Sequence, residues 1–323
     1  MRVESMGAES MSVEPLRGAE ADAPAAPRPR ADGGRQQRAF VEVLLAMALA
    51  GSTVVAGKLL SARVPVFLSV ELTLLAALAA ILPAQLARRR ELLRLGPREL
   101  GYMALQAFFG IALFRVLTLY GLRLTSALSA GVITSAAPAV MAVLAAVLLG
   151  ERPGGRAVAG VALTVGGLVL VSAWGPGAPA VPASLPGNLL VLGATVCEAL
   201  LTIFRKRSGG AVGSVTNTTV LVGMSAAMLL PLAAADLRHY CLARIDLVAW
   251  AAIVYYGAVA TVLAYILWGR GALRIPASRT GVATAALPVT ALVLSVLVLG
   301  EPLQVPHVTG CAAVVAGVIV GRK

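Results

Sequence analysis

Charge is what this chain has least of. Asp, Glu, Lys and Arg make up 13% of its 323 residues while 59% are hydrophobic. A soluble protein carries about a quarter charged residues. So few charges cannot cover that much apolar surface in water, so the bilayer is the solvent for most of the chain. Histidine and cysteine are scarce too. His239, His307, Cys197, Cys241 and Cys311 lie far apart with no ligand spacing, which argues against a metal centre and leads us to expect no metal, no cofactor and no enzyme chemistry. Aromatics reach only 5%, and no basic stripe interleaves with them, so the formal net charge of +12 does not point to nucleic acid. Residues 1–37 lack an apolar run, which excludes a signal peptide, and their Pro/Ala/Arg composition reads as a disordered cytoplasmic tail.

What remains is a series of apolar runs. They fall at about 40–60, 64–86, 100–122, 125–149, 156–174, 187–207, 212–234, 247–268, 276–299 and 303–321. A span needs about 20 residues at 1.5 Å each, and most of these qualify. The basic residues then act as topology markers. With the N-terminal tail inside, 21 of the 27 Lys and Arg fall on one side, among them Arg88, Arg89, Arg90, Arg152, Arg205, Lys206 and Arg274. Only Lys58, Arg63, Arg123, Arg238 and Arg244 fall on the other, and Arg115 lies within a span. That asymmetry predicts ten spans with both termini cytoplasmic.

An internal repeat is the sharpest signal. At an offset of 150 residues, Ala127, Gly131, Val132, Thr134, Ala136, Pro138, Val143, Leu144, Leu149, Gly150 and Glu151 fall on identical residues, 11 identities in 25 ungapped positions. Chance in so Ala/Leu/Val-rich a chain gives roughly three. Gly160 and Gly167 continue the match onto Gly310 and Gly317. Five spans per half is an odd number, so the second half is inverted, and inverted repeats are how secondary transporters obtain two mirror-related states around a midplane site. The expected fold is an all-α integral membrane protein of about ten transmembrane helices. Its layout is the tail 1–37, a five-helix repeat 38–175, a linker 176–186 and a second repeat 187–323.

The motif Gly131-x6-Pro138-x11-Gly150-Glu151 and its copy Gly281-x6-Pro288-x11-Gly300-Glu301 resemble the EamA-like branch of the drug/metabolite transporter superfamily, with two EamA domains. Gly51-x6-Lys58 is similar to that family's opening motif, with Ala50 where a Trp often stands. The resemblance covers about residues 40–321. It implies ten spans around a central cavity and export of amino acids, other metabolites or drugs.

Several side chains are candidates for the transport pathway. Glu198 sits about 11 residues into its span, roughly 16 Å deep at helical rise. With Asn188, Thr195, Thr202 and Arg205 it forms one polar stripe. A carboxylate at that depth is costly and marks a substrate-ammonium or proton site by default. Arg115 is a candidate for a substrate carboxylate, or for pairing with Glu198 or Glu71. Tyr255 and Tyr265 offer stacking, and Trp268 an interface anchor. Pro138 and Pro288 are hinge candidates, each expected mid-span and freeing the carbonyl of Thr134 or Thr284 four residues back. Gly150 and Gly300 suit helix C-termini, and Glu151 and Glu301 suit positive helix N-termini. Lys58 and Arg205 read as snorkelling cations. Gly160, Gly166, Gly167, Gly310 and Gly317 read as smooth faces for close helix packing.

The expected activity is secondary transport of a small polar or amphipathic metabolite, amino-acid-like or a drug, outward across the plasma (inner) membrane by alternating access with protons as the candidate coupling ion. The alternatives are a lipid or lipid-linked-sugar flippase and a multispanning lipid-modifying enzyme. The expected partners are the substrate, the bilayer and protons, with a homodimer one of the open assembly states.

Overall fold

The computed structural model describes residues 33–92, 95–149, 155–173, 185–207, 213–271, 274–275, 283–284 and 286–320. Among the described residues every regular element is helical. In chain order the longer ones are α1 (Gly33–Arg63), α2 (Val66–Leu86), α3 (Pro97–Leu124), α4 (Ala127–Thr134), α5 (Ala137–Leu149), α6 (Gly155–Ala173), α7 (Leu185–Arg207), α8 (Ser214–His239), α9 (Leu247–Gly271), α10 (Ala286–Leu299) and α11 (Val305–Val320), with single turns at Arg89–Leu92 and Leu242–Arg244. α1, α2, α3, α7, α8 and α9 are long and apolar enough to cross a membrane. Val158–Gly167 within α6, with α10 and α11, adds shorter apolar stretches. α1 is helical from Gly33, inside the expected tail.

Local chemistry sets the ends. Pro65 precedes α2, and Gly96 with Pro97 opens α3, where Glu99 Oε2 accepts from Gly96 N–H at 2.5 Å. Ser126 Oγ accepts from Ser129 N–H at 3.0 Å, and Asp246 Oδ1 from Ala249 N–H at 2.9 Å, so orphan donors of α4 and α9 are capped by side chains. Gly300 closes α10 with φ of +65°, a backbone state that glycine enters without Cβ strain.

Contacts at the tips sort the helix ends into two groups. At one end Arg63 pairs with Asp246 at 3.3 Å, Tyr240 donates to Arg63 O at 2.9 Å, and Asp236 Oδ2 accepts from Leu68 N–H at 3.1 Å. At the other, Glu91 Oε2 accepts from Gly213 N–H at 3.2 Å and from Thr216 Oγ1 at 2.6 Å. So α2 and α8 run antiparallel, each with an acidic group at its partner's N-terminus.

Glycines let helices cross at backbone distance, and two of these crossings are reciprocal. A Cβ on Gly167 of α6 would lie 2.8 Å from Gly310 O of α11, and one on Gly317 of α11 would lie 2.6 Å from Gly160 O of α6. Likewise Gly121 of α3 abuts Gly187 O of α7, and Gly271 of α9 abuts Ala39 O of α1. Each pair of matched glycines is 150 residues apart, so the repeat seen in the sequence reappears as matching helix crossings.

Two prolines sit elsewhere than expected. α4 stops at Thr134 and α5 starts at Ala137, so Pro138 falls in the first turn of a new helix. Pro288 likewise falls in the first turn of α10. The N–H a proline lacks is an orphan there in any case. The break is restitched by Ala136 N–H to Ile133 O at 3.0 Å and by Ala139 and Val140 N–H to Ala136 O at 2.9 and 3.0 Å. The bend before Pro138 is a helix break, not a missing bond inside a continuous helix.

Candidate functional site

Two helices change pitch in mid-course. α3 contains a π-helical stretch over Phe108–Leu113, and α9 contains one over Tyr255–Leu263. The first opens on Phe108-Phe109-Gly110 and the second on Tyr255-Tyr256-Gly257. The wider turn displaces side chains from α-helical register, and such segments gather at functional sites. Here they aim polar groups from α3 and α9 at each other inside an apolar bundle.

Arg115 lies just past the first π stretch, nine residues before the end of α3, or roughly 14 Å from that end at helical rise. It is only 6% exposed. Its Nη1 donates to Thr73 Oγ1 of α2 at 2.8 Å, its Nη2 donates to Thr261 Oγ1 of α9, and its Cζ lies 4.5 Å from the centroid of the Tyr256 ring. Both hydroxyls have committed their single proton to backbone, Thr73 to Val70 O and Thr261 to Tyr256 O, each at 2.7 Å. Their lone pairs therefore face the guanidinium as fixed acceptors. The Thr261 bond also satisfies a carbonyl that the π turn displaces.

These three partners are neutral. Arg63 pairs with Asp246 and Arg274 with Glu42, both away from Arg115 in the sequence. Among the described residues Glu71 forms no ion pair with Arg115. Burying a cation costs several kcal/mol. Two charge-assisted bonds of about 1.5–3 kcal/mol each and a cation–π contact of about 1 kcal/mol offset that cost. A guanidinium has five N–H donors, so the site holds a cation with donors left over for an anion.

Further polar groups lie on the neighbouring helices. Tyr265, half-buried on α9, lies within electrostatic reach of Glu198, Arg115, Arg205 and Tyr256. Glu198 of α7 is half-buried and lies within electrostatic reach of that tyrosine. Ser52 Oγ of α1 and the Tyr255 hydroxyl share a hydrogen bond of 2.6 Å. Four helices thus contribute: α2, α3, α7 and α9.

Other candidates fall outside this cluster. Glu71 is buried on α2, 4% exposed, and its Oε2 has no hydrogen-bond partner among the described residues. Thr195 donates to Val191 O at 3.0 Å and Thr134 to Ala130 O and Gly131 O at 3.0 and 3.1 Å, so both hydroxyls serve their own helices. Asn188 accepts from Thr125 Oγ1 at 2.7 Å near the start of α7. Thr284 lies on the short helical stretch before α10. Trp268 packs with Phe40 against Ala39 and Val43 of α1. Gly150, Glu151 and the side chains of Pro138 and Thr202 lie outside the described residues. A separate apolar groove of about 500 Å³ runs between α5, α6 and α7, lined by residues such as Val143, Val165 and Leu189. Its lining contains none of the Arg115 cluster.

Lys58 and Glu301 are not solvent-directed. Lys58 Nζ donates to Leu122 O and Thr125 O at 2.5 and 2.6 Å, capping the C-terminus of α3 where snorkelling was expected. Both Glu301 oxygens accept from the start of α4, from Ala127 N–H at 2.8 Å and Leu128 N–H at 2.9 Å. The carboxylate does suit a helix N-terminus, but one in the other half of the chain.

Comparison with known proteins agrees with this architecture. The profile of the EamA-like transporter family matches residues 38–173 and again residues 185–321. The chain belongs to the EamA-like transporter family. Within the reach of that family, the uncharacterized transporter YetK of Bacillus subtilis is 32% identical over 287 residues, covering 88% of this chain and 87% of its own. A probable terminal-alkyne amino-acid exporter of Streptantibioticus cattleyicolor is 26% identical over 222 residues, covering 69% and 73%. One crystal structure shares the fold with a TM-score of 0.61 at 23% identity, covering 88% of this chain and 96% of its own. This EamA-like chain is therefore a multi-pass membrane transporter acting on a small molecule.

Three parts of the site had escaped the sequence reading: Thr73, Tyr256 and Ser52. Thr73 and Ser52 are small hydroxyl residues in apolar runs, Ser52 beside Thr53, and no spacing singles them out. Tyr256 did carry one, because Tyr255-Tyr256-Gly257 matches Phe108-Phe109-Gly110 at an offset of 147, three short of the main repeat.

Proposed function

We propose that this transporter exports a small zwitterionic, amino-acid-like metabolite across the plasma membrane, with Arg115 receiving the carboxylate and Glu198 the ammonium. The observation that carries this reading is the buried guanidinium held by neutral partners. A site that pre-orders a cation among hydroxyl acceptors and an aromatic face has its binding energy directed at an anion. Glu198 and Tyr265 put a second polar pole beside it, and the relative described as an amino-acid exporter supports the same class of cargo.

The mechanism we propose is alternating access of two inverted five-helix repeats, 38–175 and 187–323, which together make ten crossings. Support comes from the 150-residue repeat, the reciprocal glycine crossings and the antiparallel clasp of α2 and α8. α4 with α5 then counts as the fourth crossing, and α10 and α11 as the ninth and tenth. The excess of Lys and Arg on one side supports a cytoplasmic location for both termini. A proton taken up at Glu198 in place of the ammonium would couple export to the pH gradient.

Reconstituted protein in proteoliposomes tests this directly. Counterflow of a panel of radiolabelled amino acids and their analogues should show saturable flux for at least one zwitterion. Absence of flux for every member, with and without a pH gradient, would overturn the proposal.

A further inference from the structure

The start of α4 is held from outside its own half of the chain. Its first two free N–H groups, on Ala127 and Leu128, are both taken by the Glu301 carboxylate. Glu301 is aimed by the turn that ends α10, where Gly300 N–H bonds Val296 O at 3.1 Å and Glu301 N–H bonds Ser295 O at 3.2 Å. Two residues before α4, Lys58 of α1 holds the last carbonyls of α3. Lys58 and the buried His307 of α11 both lie within electrostatic reach of Glu301. The two-residue turn Thr125–Ser126 is therefore gripped on one side by a cation from α1 and on the other by an anion from the α10–α11 turn.

α4 itself is built to move as a short rod. It is eight residues long and wholly buried, and the break at Ser135 and Ala136 separates it from α5. Where it crosses α10 it presents Gly131, at which a Cβ would come within 2.7 Å of Ala291 Cβ, so no side chain interlocks the two helices there. The α2–α8 pair differs. Asp236 caps α2 at one end and Glu91 caps α8 at the opposite end, which ties that pair at both tips.

We infer that Glu301 is the latch of the gate at the end of the bundle where α4 begins. With the carboxylate on the α4 N-terminus this end is shut over the Arg115 cluster. Release of the two N–H groups frees α4 to tilt about its break and opens a path along α3 toward Arg115. The turn that Glu301 and Lys58 grip is continuous with α3, so the latch and the guanidinium share one rod. The inference rests on the alternating-access reading above, which makes this end the outer one, and it assigns to the Gly300-Glu301 motif a conformational role in place of a purely local cap.

The test needs no knowledge of the cargo. Thr118 is buried on α3, one turn from Arg115 toward the latched end, and its hydroxyl bonds only Phe114 O of its own helix. In a Cys241→Ser background, which removes the exposed native thiol, a Thr118→Cys reporter is exposed to a membrane-impermeant maleimide added outside intact cells. Glu301→Gln, which keeps the side chain's shape but presents an N–H₂ to one of the two donors, should speed labelling about tenfold. Glu301→Asp, one methylene shorter, should give an intermediate rate and serves if the Gln variant does not fold. Glu91→Gln, at the fixed α2–α8 clasp, should leave the rate unchanged. Equal labelling with and without the Glu301 change overturns the latch, as does acceleration by Glu91→Gln of the same size. Faster labelling with no flux of any zwitterion would leave the latch standing and sink the proposed cargo, so the two readings fail separately.

Discussion

Gly317 and Gly166 make a matched pair of opposite predictions. Both lie on membrane helices, yet a Cβ on Gly166 meets nothing within 4 Å, while one on Gly317 would lie 2.4 Å from Thr164 Oγ1, 2.6 Å from Gly160 O and 2.9 Å from Thr164 N. Two of those three neighbours are backbone atoms and cannot rotate away. Replacing Gly by Ala in a helix interior favours the folded state by about 0.5–1 kcal/mol through backbone entropy. Gly166→Ala should therefore be neutral or slightly stabilising. At Gly317 the same gain is opposed by overpacking of about 1–3 kcal/mol, and the α6–α11 crossing must widen. Because the contacts are with backbone, we expect the upper half of that range, for a net loss of about 1–2 kcal/mol. Thermal unfolding of purified protein in one detergent should rank Gly166→Ala at or above the parent and Gly317→Ala clearly below it. If Gly317→Ala were as stable as Gly166→Ala, the close crossing of α6 and α11 would be refuted, and with it one half of the reciprocal pair that supports the repeat.

Glu198→Gln should abolish flux driven by a pH gradient, because the neutral amide neither takes up a proton nor attracts an ammonium. Undiminished proton dependence in that variant would remove Glu198 from the coupling scheme. Thr261→Val deletes both the acceptor for Arg115 and the donor to Tyr256 O, leaving a buried carbonyl without that partner at a cost of about 1–3 kcal/mol. Thr261→Ser should restore stability and transport, and equal loss in both variants would mean the methyl group, not the hydroxyl, is what matters.

Helices were legible wherever composition alone decides. The apolar runs anticipated α2, α6, α7 and α9 to within a few residues, since a span has to be about 20 apolar residues long whatever it packs against. The repeat was legible because Pro, Gly and Gly-Glu recurred at one offset in a chain where Ala and Leu recur by chance. Register was not legible. The π turns of α3 and α9 rotate Arg115 and Thr261 toward Thr73, and neither pitch change follows from hydropathy. Arg115 was singled out as a buried cation, but its partners are uncharged, and no periodicity marks a threonine as an acceptor. Glu301 was assigned to a helix N-terminus on electrostatic grounds, while the helix it serves, α4, lies 173 residues away along the chain. Long-range pairing of this kind depends on which crossings the glycines allow, and sequence spacing does not encode that.

One selectivity ratio tests whether the buried guanidinium of Arg115 reads a substrate carboxylate. Transport of the best zwitterionic substrate is compared with that of its decarboxylated amine, in the parent and in Arg115→Met, which fills similar volume without charge. Two charge-assisted hydrogen bonds lost to the amine are worth about 3 kcal/mol net, or roughly a hundredfold in rate at low concentration. That preference is expected in the parent and a ratio near unity in Arg115→Met. An unchanged preference in the variant would contradict that role of Arg115.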